Sequence, residues 1–219
     1  MIGVNRRRVM GGVSEQYDEN SYIQDGLVFQ IDGINKGGNL GYWTDLKGGC
    51  MFQVPEDEGL IEGTDCYTWS ANVNMPLSSG VIPQGTGCTV EIAMFNTIPN
   101  STMKWGVFAS SLDNGAGNIF IGVFNNIQLN FINRCAMAKY ADLVKNSFTT
   151  MSYCSLRACI DETEVSLGSA DYLTAHRVGI GFVYNSGMRG SIYAIRIYDR
   201  QLALSEMKYN QMVDRKRFG

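Results

Sequence analysis

The sequence predicts an all-β sandwich of two antiparallel sheets, followed by one short C-terminal helix. Three observations predict it. Runs of alternating or strand-preferring residues recur from residue 26 onward, separated by short polar turns at the close spacing typical of sandwiches and barrels. No strand-then-helix alternation appears, which argues against a parallel α/β sheet. A single stretch, residues 204–216, holds mostly good helix formers and contains neither glycine nor proline.

The elements follow in order. Residues 1–21 are polar, contain glycine and carry no period, so they read as an N-terminal arm before a domain spanning 22–219. Residues 26–33 predict a first strand with Leu27, Phe29 and Ile31 on one face. Residues 66–73 are rich in strand formers. Residues 88–95 alternate, with Val90, Ile92 and Met94 inward and Thr89, Glu91 and Ala93 outward. Strands are expected at 103–109, 118–124 and 127–132, the last two joined by Asn125-Asn126, since asparagine tolerates positive φ. Segments 148–159 and 163–167 form a hairpin-like pair around Asp161-Glu162, and 176–184 and 191–198 close the set. The helix is expected to be amphipathic, with Met207 and Val213 among its apolar contacts. Leu202 and Met207 are spaced to bridge a helix start at Ala203.

The chain has 219 residues, enough for one sandwich with a sizeable core. An apolar fraction of 45% against 18% charged marks an ordered globular chain. The net charge of −3 gives no electrostatic reason to bind nucleic acid. Basic residues gather at the ends, as Arg6, Arg7 and Arg8 and as Arg215, Lys216 and Arg217. They either aid solubility or dock onto an acidic partner, and Arg6–Arg8 are the candidate docking residues. No apolar run reaches the roughly 18 residues of a membrane span. No apolar stretch follows the charged start, so no secretory signal peptide is expected.

The six cysteines, Cys50, Cys66, Cys88, Cys135, Cys154 and Cys159, are irregularly spaced and form no Cys-x-x-Cys. Several lie in strand-like runs, so buried thiols are expected. The single histidine, His176, has no ligand cluster beside it, which disfavours zinc and an imidazole base alike. The pairs Gly37-Gly38 and Gly85-Thr86-Gly87 lack the Lys-Ser/Thr of a phosphate loop. Asp113, Asn114 and Asn118 share one polar loop and are the candidate calcium ligands, the other reading being a plain hairpin loop. Glycan binding needs aromatic platforms, for which Trp69, Trp105, Tyr67 and Tyr42 are the candidates, each also a candidate for the core.

A glycosidase needs two carboxylates flanking the scissile bond. The nearest arrangement, Asp161-Glu162-Thr163-Glu164, lies at a turn, and Glu91 stands alone on its strand. No enzymatic activity is expected.

Three stretches carry a family resemblance. Residues 26–35 (GLVFQIDGIN) are followed by Trp43-Thr44-Asp45-Leu46-Lys47-Gly48-Gly49. Cys88-Thr89-Val90-Glu91 opens a later strand. Ile195-Arg196-Ile197-Tyr198-Asp199-Arg200-Gln201-Leu202 precedes the helix. Together they resemble the concanavalin A-like, laminin-G-type jelly-roll domains of gut bacteria and their phages, over roughly residues 26–218. The resemblance implies a jelly-roll sandwich and a binding module. Family members that hydrolyse glucans carry a Glu-x-Asp-x-x-Glu-like strand, which this chain lacks. The motifs also have structural jobs. Asp45 can accept turn amides, Gly48 and Gly49 permit positive φ, Trp43 is expected to cover the sheet edge, and Arg196 and Arg200 are expected to pair with Asp32 or Asp199. One departure stands out. Ala203 occupies the place of the family's helix-capping serine, so the helix start loses about 1 kcal/mol of capping and leans on packing.

The expected function is a non-catalytic binding or structural module on the surface of a phage virion, as capsid decoration or tail-associated protein. Its expected partners are other virion proteins or further copies of itself, and a host-surface glycan, with no nucleic acid, no membrane and no cofactor apart from calcium. The alternatives are a carbohydrate-active enzyme and a bacterial surface adhesin domain.

Overall fold

The computed structural model describes residues 16–71, 73–80, 87–96, 105–110, 119–124, 128–131, 134–137, 147–154, 157–166, 178–180, 182–183, 186–187 and 190–219. The strands in chain order are β1 (Leu27–Asp32), β2 (Tyr42–Thr44), β3 (Cys50–Gln53), β4 (Leu60–Glu62), β5 (Tyr67–Trp69), β6 (Met75–Gly80), β7 (Thr89–Asn96), β8 (Trp105–Ser110), β9 (Ile119–Phe124), β10 (Gln128–Phe131), β11 (Arg134–Met137), β12 (Ser147–Cys154), β13 (Arg157–Ile160), β14 (Thr163–Ser166), β15 (Val178–Ile180), β16 (Phe182–Val183), β17 (Ser186–Gly187) and β18 (Gly190–Tyr198). The helix α1 spans Leu204–Phe218.

Two antiparallel eight-stranded sheets form the sandwich. The first runs β14-β13-β12-β7-β18, and the far edge of β18 is shared. Its N-terminal half pairs with β5, which pairs with β4, and its C-terminal half pairs with β1. The second sheet runs β11-β10-β9-β8-β15-β6-β3-β2, and β16 and β17 form a separate pair. The edge strands β4 and β2 are only three residues long, and short edges limit strand-to-strand aggregation.

The core lies between the sheets. Phe29, Ile31, Val90, Ile92, Met94, Ile192, Ile195 and Ile197 of the first sheet meet Trp43, Phe52, Met75 and Ile180 of the second. Phe29 and Phe52 meet edge to face across the gap at 6.1 Å, and Trp43 and Tyr67 tilt together at 4.8 Å. Trp43 is therefore a core residue and not an edge cover, and its indole N–H donates to the Asp32 carbonyl at 2.9 Å.

Two bulges set which side chains reach this core. In β18 the register against β7 shifts between Ile192 and Ala194. One extra residue reverses the phase of a strand, so Ile192 before the bulge and Ile195 and Ile197 after it all face inward. In β1 a shift between Leu27 and Phe29 does the same. Leu27 thus leaves the face of Phe29 and Ile31 and joins Tyr198, Leu202 and Met207 in a second cluster beneath α1. Leu202 and Met207 lie in that one buried cluster at the helix start, consistent with their spacing. At that start Ala203 has extended dihedrals and makes no side-chain cap, while Glu206 accepts the Ala203 N–H at 2.8 Å.

The outer face of the first sheet is covered by α1 and by residues 18–25. Glu91 faces outward from the core as the alternation predicts, and is buried there beneath the helix. The face α1 turns inward is largely polar, with Asn210, Gln211 and Asp214 buried beside Met207 and Val213. Gln211 accepts the Glu162 N–H at 2.6 Å and donates to the Cys159 carbonyl at 2.8 Å. Arg215 pairs with Asp161 and Glu162. These contacts clamp the β13–β14 turn, whose two residues both have positive φ, 46° and 63°, the signature of a two-residue hairpin turn of the mirror-image type. The expected strand 148–159 is in fact two strands, β12 and β13, paired with each other.

Asp45 behaves as the sequence suggests, accepting the N–H groups of Lys47 at 3.0 Å, Gly49 at 2.9 Å and Gln30 at 2.8 Å. Gly48 has φ +83°, whereas Gly49 does not need the left-handed region. Cys50, Cys66, Cys88, Cys154 and Cys159 are buried and not disulfide-bonded.

Candidate functional site

Beneath α1 the buried charges form a closed network. Arg196 donates to Asp214 through both terminal nitrogens, at 2.8 and 2.7 Å, and through Nε to Glu91 at 3.0 Å. Ser152 and Asn210 complete the Glu91 carboxylate at 2.8 and 2.9 Å. Tyr22 lies 3.9 Å from the Arg196 guanidinium and donates to Asp214 at 2.8 Å. Burial pushes the Glu91 carboxyl above its ordinary range against the pull of Arg196. The pairing expected for Arg196 is corrected: its partners are Glu91 and Asp214. Arg200 pairs with Asp25 and Glu206, and Asp32 is held by Arg217. Arg196 lies between Ile195 and Ile197, so strand alternation turns it away from the core and toward the helix.

This network fixes the start of an exposed loop. Arg217 donates to both Asp32 oxygens at 2.6 and 3.1 Å. Asp32 Oδ1 in turn accepts the N–H groups of Ile34 and Asn35, each at 3.0 Å. Asn35 donates to Glu19 at 3.0 Å. Thr44 N–H reaches back to the Lys36 carbonyl at 3.2 Å, and Tyr42 N–H to that of Asn39 at 3.1 Å. Gly37 has φ +80° and packs so closely on Thr44 that a Cβ would lie 2.6 Å from the threonine Cβ. Larger residues are therefore excluded from that turn on two grounds.

The loop folds toward the end of β4 and leaves a cleft of about 170 Å³. Loop residues 36 and 38–42 line one side, and Glu62 and Tyr67 the other. The Lys36 ammonium donates to the Gly63 carbonyl at 2.5 Å, pairs with Glu62 at 3.2 Å and sits 5.2 Å from the Tyr67 ring. The Lys36 side chain is only 17% exposed, against 59% for Glu62. Burial, assisted by the Glu62 charge, pushes the Tyr67 phenol up to about 12, so it stays neutral at physiological pH. At the rim one apolar side chain, Leu40, is 99% exposed. An exposed apolar group beside convergent polar ones is the common make-up of a small-ligand site.

The predicted site residues fare differently. Tyr42 lines the cleft and is partly exposed. Trp69 and Tyr67 are 1% and 2% exposed, which corrects their reading as open aromatic platforms. Both are fixed in the core, Trp69 by its indole N–H on the Val73 carbonyl at 3.1 Å and Tyr67 by packing on Trp43. The Trp105 side chain, Arg6–Arg8, His176, and Asp113, Asn114 and Asn118 lie outside the described residues. Lys36, Asn39, Leu40 and Glu62 were missed by sequence reasoning. The only local signal was the glycine spacing at 37, 38 and 41, which marks a shaped loop but names no chemistry.

The carboxylates weighed for hydrolysis are all engaged. Glu91 is sealed under α1, Asp161 and Glu162 pair with Arg215, and Glu164 pairs with Arg157 at 3.3 Å. Glu62 is the one carboxylate lining the cleft among the described residues.

No family model matches the chain, and no curated protein matches it in sequence. Solved structures do share its fold. Trypanosoma rangeli sialidase superposes with a TM-score of 0.60 at 13% identity, covering 85% of this chain and 32% of that one. Domain 4 of AbnA, a GH43 extracellular arabinanase from Geobacillus stearothermophilus, solved in complex with arabinotriose, gives 0.57 at 14% identity, covering 83% and 96%. The botulinum neurotoxin type G receptor-binding domain gives 0.59 at 11% identity, covering 86% and 51%. The chain thus spans about a third of the sialidase chains it resembles and nearly all of the arabinanase domain. At these identities the likeness establishes the fold, a concanavalin A-like jelly-roll sandwich.

Proposed function

We propose that the chain is a non-catalytic carbohydrate-binding module whose site is the cleft between loop 36–42 and Glu62. The observation that carries this reading is the make-up of the cleft: a charge pair and an amide beside Tyr42 and the fully exposed Leu40. Sugars present both hydroxyls and apolar C–H faces, and this surface offers a partner for each. Among the described residues a single carboxylate lines the cleft, already paired with Lys36, while hydrolysis calls for two. The arabinanase domain solved with arabinotriose offers a precedent for a sugar on this fold.

A glycan array followed by calorimetry on the best ligands tests the proposal. Saturable binding that weakens several-fold in Leu40→Ala, with no reducing ends released, supports it. Reducing-end release that survives purification and is lost in Glu62→Gln contradicts the non-catalytic part.

The setting proposed is the surface of a phage particle, supported by the resemblance of the last strand and its ending, with the basic residues Arg6–Arg8 docking onto an acidic virion partner. Replacing all three by alanine is expected to abolish co-sedimentation with particles. Undiminished association would remove that role from the arm.

A further inference from the structure

We infer that the cleft recognises a neutral sugar ring through a vicinal diol, with Glu62 accepting two hydroxyl protons and Lys36 donating to one of the same oxygens. The inference rests on the reading of the cleft as a sugar site and specifies which sugars enter it. Lys36 has three N–H donors; the Gly63 carbonyl accepts one, and Glu62 pairs with the ammonium at 3.2 Å. The residue lines the cleft, so its ammonium is placed to donate to a ligand there. Glu62 carries two carboxylate oxygens, and only one is engaged by Lys36. Its 59% exposure leaves the other open to a ligand. A donor and an acceptor about 3 Å apart match adjacent hydroxyls on a ring, each of which both gives and takes a hydrogen bond.

Charge decides against an acidic sugar. Lys36 is already neutralised by Glu62, so an incoming carboxylate would meet the Glu62 charge with no uncompensated cation among the described cleft-lining residues. Like charges at that separation are repulsive. Volume points to one ring: about 170 Å³ is the scale of a single sugar, not of an extended chain. Leu40 and Tyr42 then lie at the edge, placed to meet the ring's C–H face.

The test uses the full chain and a panel of methyl glycosides in three groups: neutral hexosides and pentosides with a free vicinal diol, the same compounds with that diol O-methylated, and uronic acid glycosides. Affinities come from ligand-observed NMR titration. The neutral diols are expected to bind, O-methylation to abolish binding, and the uronates to bind at least about tenfold more weakly. Glu62→Gln and Lys36→Gln are each expected to weaken the neutral diols about tenfold, the scale of one hydrogen bond to a charged group. Leu40→Ala, on a fully exposed side chain, reports whether ligand sits in the cleft at all. If Leu40→Ala weakens binding but Glu62→Gln changes it less than about twofold, or the uronates bind as well as the neutral sugars, diol recognition is overturned while the cleft remains the site. If no glycoside binds, or Leu40→Ala leaves binding intact, both readings fall.

Discussion

Replacing Arg196 by methionine should be among the most damaging single substitutions in the chain, and the structure shows why. The methylenes of methionine fill much of the space but supply no donors. Asp214 loses two hydrogen bonds and Glu91 one, and both carboxylates stay buried under α1. Breaking one side of a buried ion pair costs about 3–5 kcal/mol, because the stranded charge is no longer compensated. For a chain of this size that lowers the melting temperature by about 6–20 °C. Urea unfolding followed by tryptophan fluorescence is a suitable assay, since Trp43 and Trp69 are buried and report global unfolding. The loss should also depend on pH. Arg196 is what pulls the buried Glu91 carboxyl back down, so in the variant that group rises further above its ordinary range. The variant's deficit therefore shrinks at low pH, where Glu91 is protonated in either state, and grows as pH rises through its raised value. Replacing Arg196, Glu91 and Asp214 together by apolar residues should recover most of the loss. A deficit under about 1 kcal/mol at neutral pH in Arg196→Met, or one independent of pH, would refute the view that this network holds the helix.

Further outcomes follow from individual residues. Because burial raises the Glu91 pKa, its contribution is fully present below the ordinary value near 4.5 and is lost as pH rises through the raised value. Glu91→Gln should flatten that part of the stability profile, read as the difference between the two denaturation curves at each pH. Ala203→Ser restores the missing helix cap on an exposed residue with extended dihedrals, and should stabilise by about 1 kcal/mol in the same urea assay. Burial pushes the Cys159 thiol up to about 11. Cys50, Cys66, Cys88, Cys154 and Cys159 should resist alkylation at neutral pH until denaturant is added, as mass mapping of the labelled peptides would show.

Where alternation was long, the fold was legible. The strand around Val90, Ile92 and Met94 and the ending from Ile195 to Leu202 gave the sheet centre and the helix that follows it. Alternation identifies a face but not what covers it. That Glu91 is covered was not legible because the covering helix is distant in sequence and docks through Asn210, Gln211 and Asp214, which carry no apolar stripe. The bulges at Val28 and Tyr193 have no composition signal, so the departure of Leu27 from the core face could not be foreseen. Strands β2, β3 and β4 are three or four residues long, too short for a period to register. Tyr42 was legible as a candidate aromatic platform. Lys36, Asn39, Leu40 and Glu62 were not, because their convergence depends on the tether from Arg217 through Asp32 and on where β4 ends.

The most direct test of the central claim is an amide NMR titration of the full chain with a neutral methyl glycoside that binds. Perturbations confined to residues 36–42 and 61–63, with the glycoside intact after prolonged incubation, are the result predicted. Perturbations centred elsewhere on the sandwich, or hydrolysis of the ligand by the purified protein, would contradict it.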